Sequence, residues 1–300
     1  MPLSGRLLGL RAEPVEIAPG RFRARYIAEM DSGVVVLDEH LDAGITLRLS
    51  GNARCHHCDA PMRRHFGAGY CYACFSTLAR CDLCVMSPDR CHYHLGTCRE
   101  PDWGDDFCMQ PHWVYLALTS GPKVGITRHE RLLERWMDQG ATRGLKLAQA
   151  PTRRAAGVLE ALLKRFVNDR TDWRRLVTGI TTSVDLPRLA SQLRRDADLS
   201  AGLRGSWLPA DEARGVQWLP NADVVELEYP LRGHSPAVRL PLDAQNPAVR
   251  ENLCGIMGQY LMLSRGVVNV ADVLPLGVDL EIGPPHVLDP DDDEQMSLFE

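Results

Sequence analysis

The sequence predicts an α+β fold, and three observations predict it. Short runs of strand formers occur at both ends of the chain, paired cysteines crowd the stretch after residue 51, and strand patterns alternate with amphipathic helix patterns between residues 112 and 182. Residues 1–50 carry the runs RFRARYIAEM and SGVVVLDE with Gly and Asp between them, the pattern of small antiparallel strands. After a polar helical stretch near 184–214 the strand pattern returns in VVELEYPL, AVRLPLD, GQYLMLSRGVVNV and GVDLEIG. The two ends are therefore expected to build one β-rich module with the central segments inserted into it. The division expected is 1–50, an N-terminal β segment; 51–111, a cysteine-rich module; 112–182, a strand-helix domain; 183–288, a helical linker plus C-terminal β segment; and 289–300, an acidic tail.

Composition narrows the class. With 45% hydrophobic and 24% charged residues over 300 positions, the chain can bury a sizeable core. No window approaches the roughly 18 to 20 apolar residues of a membrane span. The start, MPLSGRLLGLRAEP, has an arginine inside its apolar run, unlike a secretory signal, so a cytoplasmic protein is expected. The net charge of -5 is unevenly spread. Six acids between Asp289 and Glu300 leave the rest about neutral, and Trp113 to Arg175 holds 13 Lys or Arg against 6 Asp or Glu. A basic block of that size points to phosphates.

Nine of the ten cysteines fall between Cys55 and Cys108. The pairs CHHC (Cys55, Cys58), CYAC (Cys71, Cys74) and CDLC (Cys81, Cys84) have the spacing of metal knuckles, because thiolates two residues apart on a tight turn reach one tetrahedral ion. Structural zinc is expected on the first four. A second site is expected on Cys81 and Cys84, completed from Cys91, His94, Cys98 and Cys108 (Cys91 with Cys98, or Cys98 with Cys108), more donors than one ion needs, and spacing alone leaves the choice open. Disulfides would require an oxidising compartment, and an iron-sulfur cluster is the alternative use of the same thiolates.

In the basic block, WVYLALT and KVGIT flank the turn TSGP and read as a hairpin, with Tyr115, Lys123 and Gly125 off the greasy face of Val114, Leu116, Val124 and Ile126. A helix is expected from Arg128 to Asp138, with Arg131 and Arg135 one turn apart. LKLAQA gives a third strand, and TRRAAGVLEALLKRF a second helix whose stripe runs through Ala155, Leu159, Leu162, Leu163 and Phe166 with Glu160 beside it. Glu160 precedes Lys164 by four residues, the order of a helix-surface ion pair. Arg128, His129, Arg131, Arg153 and Arg154 are candidate phosphate contacts, and Asp169 and Asp172 further metal or phosphate candidates. Trp136 and Trp173 read as core.

This order of elements resembles the GIY-YIG nuclease superfamily over residues 112 to 177. Trp113-Val114-Tyr115 stands at its first motif and Lys123-Val124-Gly125 at its second, Arg135 at its arginine and Glu160 at its metal-binding glutamate. Over its whole length the chain looks like a bacterial family catalogued as a domain of unknown function (2797), in which a cysteine block runs into the same KVGITR and RWMDQGA stretch. The resemblance implies a small three-stranded antiparallel sheet flanked by helices, and a metal-dependent DNA endonuclease of repair or replication. Mg²⁺ or Mn²⁺ would sit on Glu160, Arg135 would hold phosphate charge, Tyr115 would position water or act as base, and Lys123 replaces the family's second tyrosine. The alternative is a non-catalytic, zinc-containing nucleic-acid-binding adaptor. The core motifs do not separate DNA from RNA.

The stretch from Asp289 holds five acids and then ends on Gln295-Met296-Ser297-Leu298-Phe299. That pentapeptide resembles the bacterial sliding-clamp-binding motif, with Gln295, Met296, Leu298 and Phe299 as the residues that would enter the clamp's pocket. The clamp is the partner this implies, and it favours DNA as the substrate. A tethered body would gain local concentration at newly replicated DNA. Unchanged clamp affinity on alanine replacement of Leu298 and Phe299 would remove the idea.

Overall fold

The computed structural model describes residues 3–51, 53–167, 172–180, 182–199 and 215–287. The tail candidates Gln295, Met296, Leu298 and Phe299, and Asp169, lie outside the described residues. Among those residues the chain is a mixed α+β fold in which 13 strands join one sheet.

The first strands form a long hairpin, β1 (Leu3–Ala18) and β2 (Arg21–Met30), turned at Gly20 with φ +73°. β3 (Gly33–Val36) adds to β2, and β4 (Gly44–Leu49) crosses away. The last strands, β10 (Ala248–Met257), β11 (Tyr260–Leu263), β12 (Gly266–Asn269) and β13 (Val278–Gly283), return to them. β13 lies antiparallel between β1 and β4, with Leu3 opposite Ile282 and Leu47 opposite Leu280, and β4 pairs onward to β10. Strands from the two ends of the sequence thus interleave in one sheet.

The central strands are β5 (His112–Leu118), β6 (Pro122–Arg128) and β7 (Arg143–Ala150), with β5 in the middle and both neighbours antiparallel. They do not stand as a separate three-stranded sheet. β9 (Val225–Glu228) pairs antiparallel to β7 and parallel to β2, and β8 (Gln217–Trp218) also borders β7, so the set becomes the margin of the large sheet. An open edge at β7 would leave its N–H and C=O groups unpaired, and β9 satisfies them. Arg21 fastens the seam through ion pairs to Glu226 (3.1 Å) and Glu228 (2.6 Å).

Both faces of β5 are covered. Trp113, Tyr115 and Ala117 join a core with Tyr26, Leu47, Leu280 and α4 (Leu132–Asp138). Val114, Leu116 and Leu118 join a second core under α5 (Arg153–Leu163) and α7 (Leu186–Leu199). The strand's period of two chose the faces correctly, but the face expected to be polar or glycine is closed by Trp136, which is fully buried. α5 starts where Thr152 Oγ1 accepts the Ala155 N–H at 3.1 Å. Among the described residues no helix is long and apolar enough to cross a membrane.

Candidate functional site

The first knuckle is shaped by a turn in which the Asp59 N–H donates to the Cys55 carbonyl (2.9 Å) and Asp59 adopts φ +54°. The second knuckle opens α1 (Tyr72–Thr77), with Cys71 as its N-cap. The Cys55 Sγ accepts the Cys71 N–H at 3.3 Å and the Cys71 Sγ accepts the Cys74 N–H at 3.5 Å, bonds that support thiolate charge. As a result the Sγ atoms of Cys55, Cys58, Cys71 and Cys74 all lie within 4.8 Å of one another, close enough to hold one tetrahedral ion. Burial pushes the Cys55 thiol up, but N–H donors from Cys58, Cys71 and His57 outweigh it and bring the group down to about 6. A sulfur-only donor set of this size suits structural zinc and leaves no open position for substrate.

The remaining cysteines divide. Cys81 packs beside Cys55, Cys74 and Leu78, against the first cluster. Cys84, Cys91, Cys98 and Cys108 instead border one small cavity, together with His92 and Asp82. His94 is exposed and does not line that cavity. Asp82, Cys84 and His92 offer ligand atoms within 4.8 Å of one another.

The cysteine segment docks on the sheet through α5. The Arg153 N–H donates to the Cys108 carbonyl (2.8 Å), its guanidinium donates to the Val85 carbonyl (2.6 Å), and Gly157 admits Pro88 so closely that any Cβ there would overlap it. Between the docked segment and β6 runs a cleft of about 410 Å³. One wall carries Trp103 and Phe107 of α3 (Pro101–Phe107), their rings stacked at 4.8 Å and 16°. Arg128, Arg131, Arg135 and Asp138 line the cleft as well, and so does Arg153. The Arg128 guanidinium sits 4.5 Å over the Phe107 ring. Three of the expected phosphate contacts, Arg128, Arg131 and Arg153, therefore share this cleft with Arg135. His129 borders an adjoining hollow and packs on Trp113 at 4.8 Å, while Arg154 neighbours Cys91. Trp103 and Phe107 went unread in the sequence, although their i, i+4 spacing puts two rings on one helix face.

The four residues aligned with nuclease motifs gather near the β6 edge but differ in access. Tyr115 is fully buried, donates its hydroxyl to Gln139 Oε1 at 3.1 Å, and meets the ring of Trp136 edge-on at 5.9 Å. Gly125 faces it across the strands, where any Cβ would overlap the hydroxyl. Burial pushes the Tyr115 phenol up, against the pull of neighbouring Arg135. It therefore orients Arg135 and Gln139 rather than reaching a substrate. Gln139, also unread in the sequence, stands one turn after Arg135. Glu160 keeps only 13% of its side chain exposed and pairs with Lys164 at 3.3 Å. Burial raises its carboxyl, while Lys164, Lys123 and Arg135 draw it back. Asp172 caps α6 (Trp173–Val177) by accepting the Arg174 N–H at 3.0 Å, which accounts for it without a metal.

His112, bordering the cleft, is 3% exposed and donates Nδ1 to the Gln110 carbonyl at 2.7 Å when neutral. Burial pushes its pKa down to about 4, from the usual 6.5. The folded state therefore resists the proton that the unfolded chain accepts. Stability is unaffected above pH 6.5 and falls as pH drops from there through 4, by about 3 kcal/mol at most. Denaturant titrations in excess zinc should show this slope, and His112→Asn, which keeps a donor without the titration, should flatten it.

A family model described as a protein of unknown function (DUF2797) matches residues 42–275. That span takes in both cysteine clusters, the cleft and the Tyr115 to Glu160 core. No curated protein and no solved structure matches the chain.

Proposed function

The chain belongs to the DUF2797 family, and we propose from that premise that it is a zinc-bearing nucleic-acid-binding protein whose cleft grips phosphates with arginine and stacks a base on Trp103, which Phe107 and Arg128 back from behind. The observation that carries this reading is the meeting of Arg128, Arg131, Arg135 and Arg153 with a stacked aromatic pair in one open groove. Planar guanidinium forks match phosphate oxygens, and aromatic rings accept any base face, so the groove suits single-stranded or distorted nucleic acid. Zinc on Cys55, Cys58, Cys71 and Cys74 would hold the cysteine segment in shape and take no part in substrate chemistry.

The test is titration of a labelled single strand at several salt concentrations. Arg131→Glu with Arg135→Glu should weaken binding by about 10- to 100-fold and reduce the slope of log affinity against log salt by about one per lost phosphate contact. Arg131 is exposed, so Arg131→Glu alone should hardly change unfolding, whereas Arg135 also bonds the buried Tyr115 hydroxyl and its reversal should cost some stability. Equal affinity and slope in the variant would remove the cleft from the reading.

Phosphodiester cleavage is the second reading, favoured by the gathering of Lys123, Arg135 and Glu160 within electrostatic reach of one another beside the cleft. If Mg²⁺ or Mn²⁺ is recruited there, Glu160 would offer it the carboxylate oxygen that Lys164 does not hold, and Arg135 would steady the charge on phosphate. Metal-dependent products from nicked, flapped or forked DNA, lost in Glu160→Gln with binding retained, would establish an endonuclease. Uncut substrate with both proteins would confine the function to binding. The sliding clamp stays a proposed partner, carried by the sequence of residues 295–299 alone.

A further inference from the structure

We infer that Cys84, Cys91, Cys98 and Cys108 hold a second tetrahedral metal ion of the zinc class, independent of the nucleic-acid reading. The four thiols come from separate pieces of chain. Cys84 lies in α2 (Leu83–Met86), Cys91 ends the turn at 88–90, Cys98 lies in the loop beyond His94, and Cys108 caps the end of α3. All four are free thiols and face one small cavity. Cys84 and Cys91 contact each other, and Cys108 neighbours both Cys91 and Cys98. Cys91 and Cys108 are buried in a stretch with few other buried side chains, so the sulfurs occupy the place of a core. The donor atoms within 4.8 Å of one another in this segment are those of Asp82, Cys84 and His92, so the four sulfurs gathered round the cavity would close in on a shared ion to reach tetrahedral spacing.

The other donors nearby are already engaged. Asp82 accepts the Cys84 N–H at 3.1 Å and pairs with Arg99 at 2.7 Å. His92 holds Thr97 Oγ1 at 2.8 Å through Nδ1 and turns Nε2 to Asp82 at 3.5 Å. The two form a hydrogen-bonded collar around the thiols, the usual place of supporting residues rather than ligands. Four thiolates with a divalent ion carry a surplus of negative charge, and Arg153 beside Cys108 and Arg154 beside Cys91 offset it. This selects among the donors that spacing left open. Cys81 sits with the first cluster, and His94 is exposed and does not line the cavity.

Elemental analysis of the full chain, purified with zinc, should find about two ions per chain. Cys84→Ser, Cys91→Ser, Cys98→Ser and Cys108→Ser should each lower this to about one, whereas Cys81→Ser and His94→Ala should leave about two. Retention of both ions in Cys98→Ser or Cys108→Ser, or loss of one in Cys81→Ser, would overturn the assignment. Loss in Asp82→Asn together with retention in Cys108→Ser would replace it by an Asp82–Cys84–His92 site. A measurement on the unmodified chain removes any doubt from misfolded variants: stepwise Co²⁺ loading should give equal sulfur-to-metal charge-transfer intensity for both equivalents. Saturation at one equivalent, or a weaker second step, contradicts a second four-sulfur centre.

Discussion

Removing the ion from Cys55, Cys58, Cys71 and Cys74 is expected to unfold the cysteine segment while the sheet stays intact. Structural zinc in small modules contributes an apparent binding energy of about 10 to 16 kcal/mol, which is folding energy because the site does not exist in the unfolded chain. Little else could hold this segment. Its buried cluster is Cys55, Cys74 and Leu78, backed by Met62 and Tyr70, and α1 spans six residues. Limited trypsin digestion, with and without a strong chelator, reads the effect at the exposed Arg63 and Arg64. Rapid cleavage there after chelation, with the strands from both ends still protected, is the expected pattern. Equal protection in both samples would mean that packing alone holds the knuckles. Cys74→Ser should behave as the chelated protein does.

Trp136→Ala should cost about 3 to 5 kcal/mol, the range for deleting a large buried aromatic. The indole is fully buried, meets Tyr115 edge-on, and lies where Gly144 leaves room, since a Cβ at Gly144 would come within 2.8 Å of the ring. The cavity would loosen α4 from the sheet, and α4 presents Arg135 to the cleft. Urea unfolding should therefore show the loss, and strand binding should weaken along with it. Arg131→Glu provides the contrast, weakening binding at nearly constant stability. A Trp136→Ala protein as stable as the parent would show that the core collapses around the gap. Gly144→Ala, which overpacks the same spot, should cost about 1 to 3 kcal/mol.

What could be read from the sequence was local. Paired cysteines on tight turns announce a metal because both ligands of a knuckle come from four consecutive residues, and the alternation in WVYLALT fixes which side chains share a face. Exposure was less legible. The i, i+4 spacing did announce the Glu160–Lys164 pair, but not that Glu160 keeps only 13% of its side chain exposed or that the packing of Trp136 buries Tyr115. Nor could the pattern foresee β9, because VVELEYPL reads as a strand without naming partners as distant as β2 and β7. The grouping of Cys84, Cys91, Cys98 and Cys108 apart from Cys81 and His94 likewise depends on how two short helices, a turn and a loop fold together, which spacing does not encode.

The pairing of β13 between β1 and β4 also sets a timetable for synthesis. The β1–β2 hairpin can form as soon as it leaves the ribosome, but the strand that covers its other edge is made last. At about 5 to 20 residues per second, roughly 13 to 50 s separate the two events. Throughout that interval β1 and β4 carry open hydrogen-bonding edges with apolar faces such as Leu7, Leu10, Ile45 and Leu47 uncovered. The nascent chain is thus most exposed to mispairing before its final strands emerge, and slowed elongation or a holding chaperone should alter the yield of native protein more than either alters its final stability.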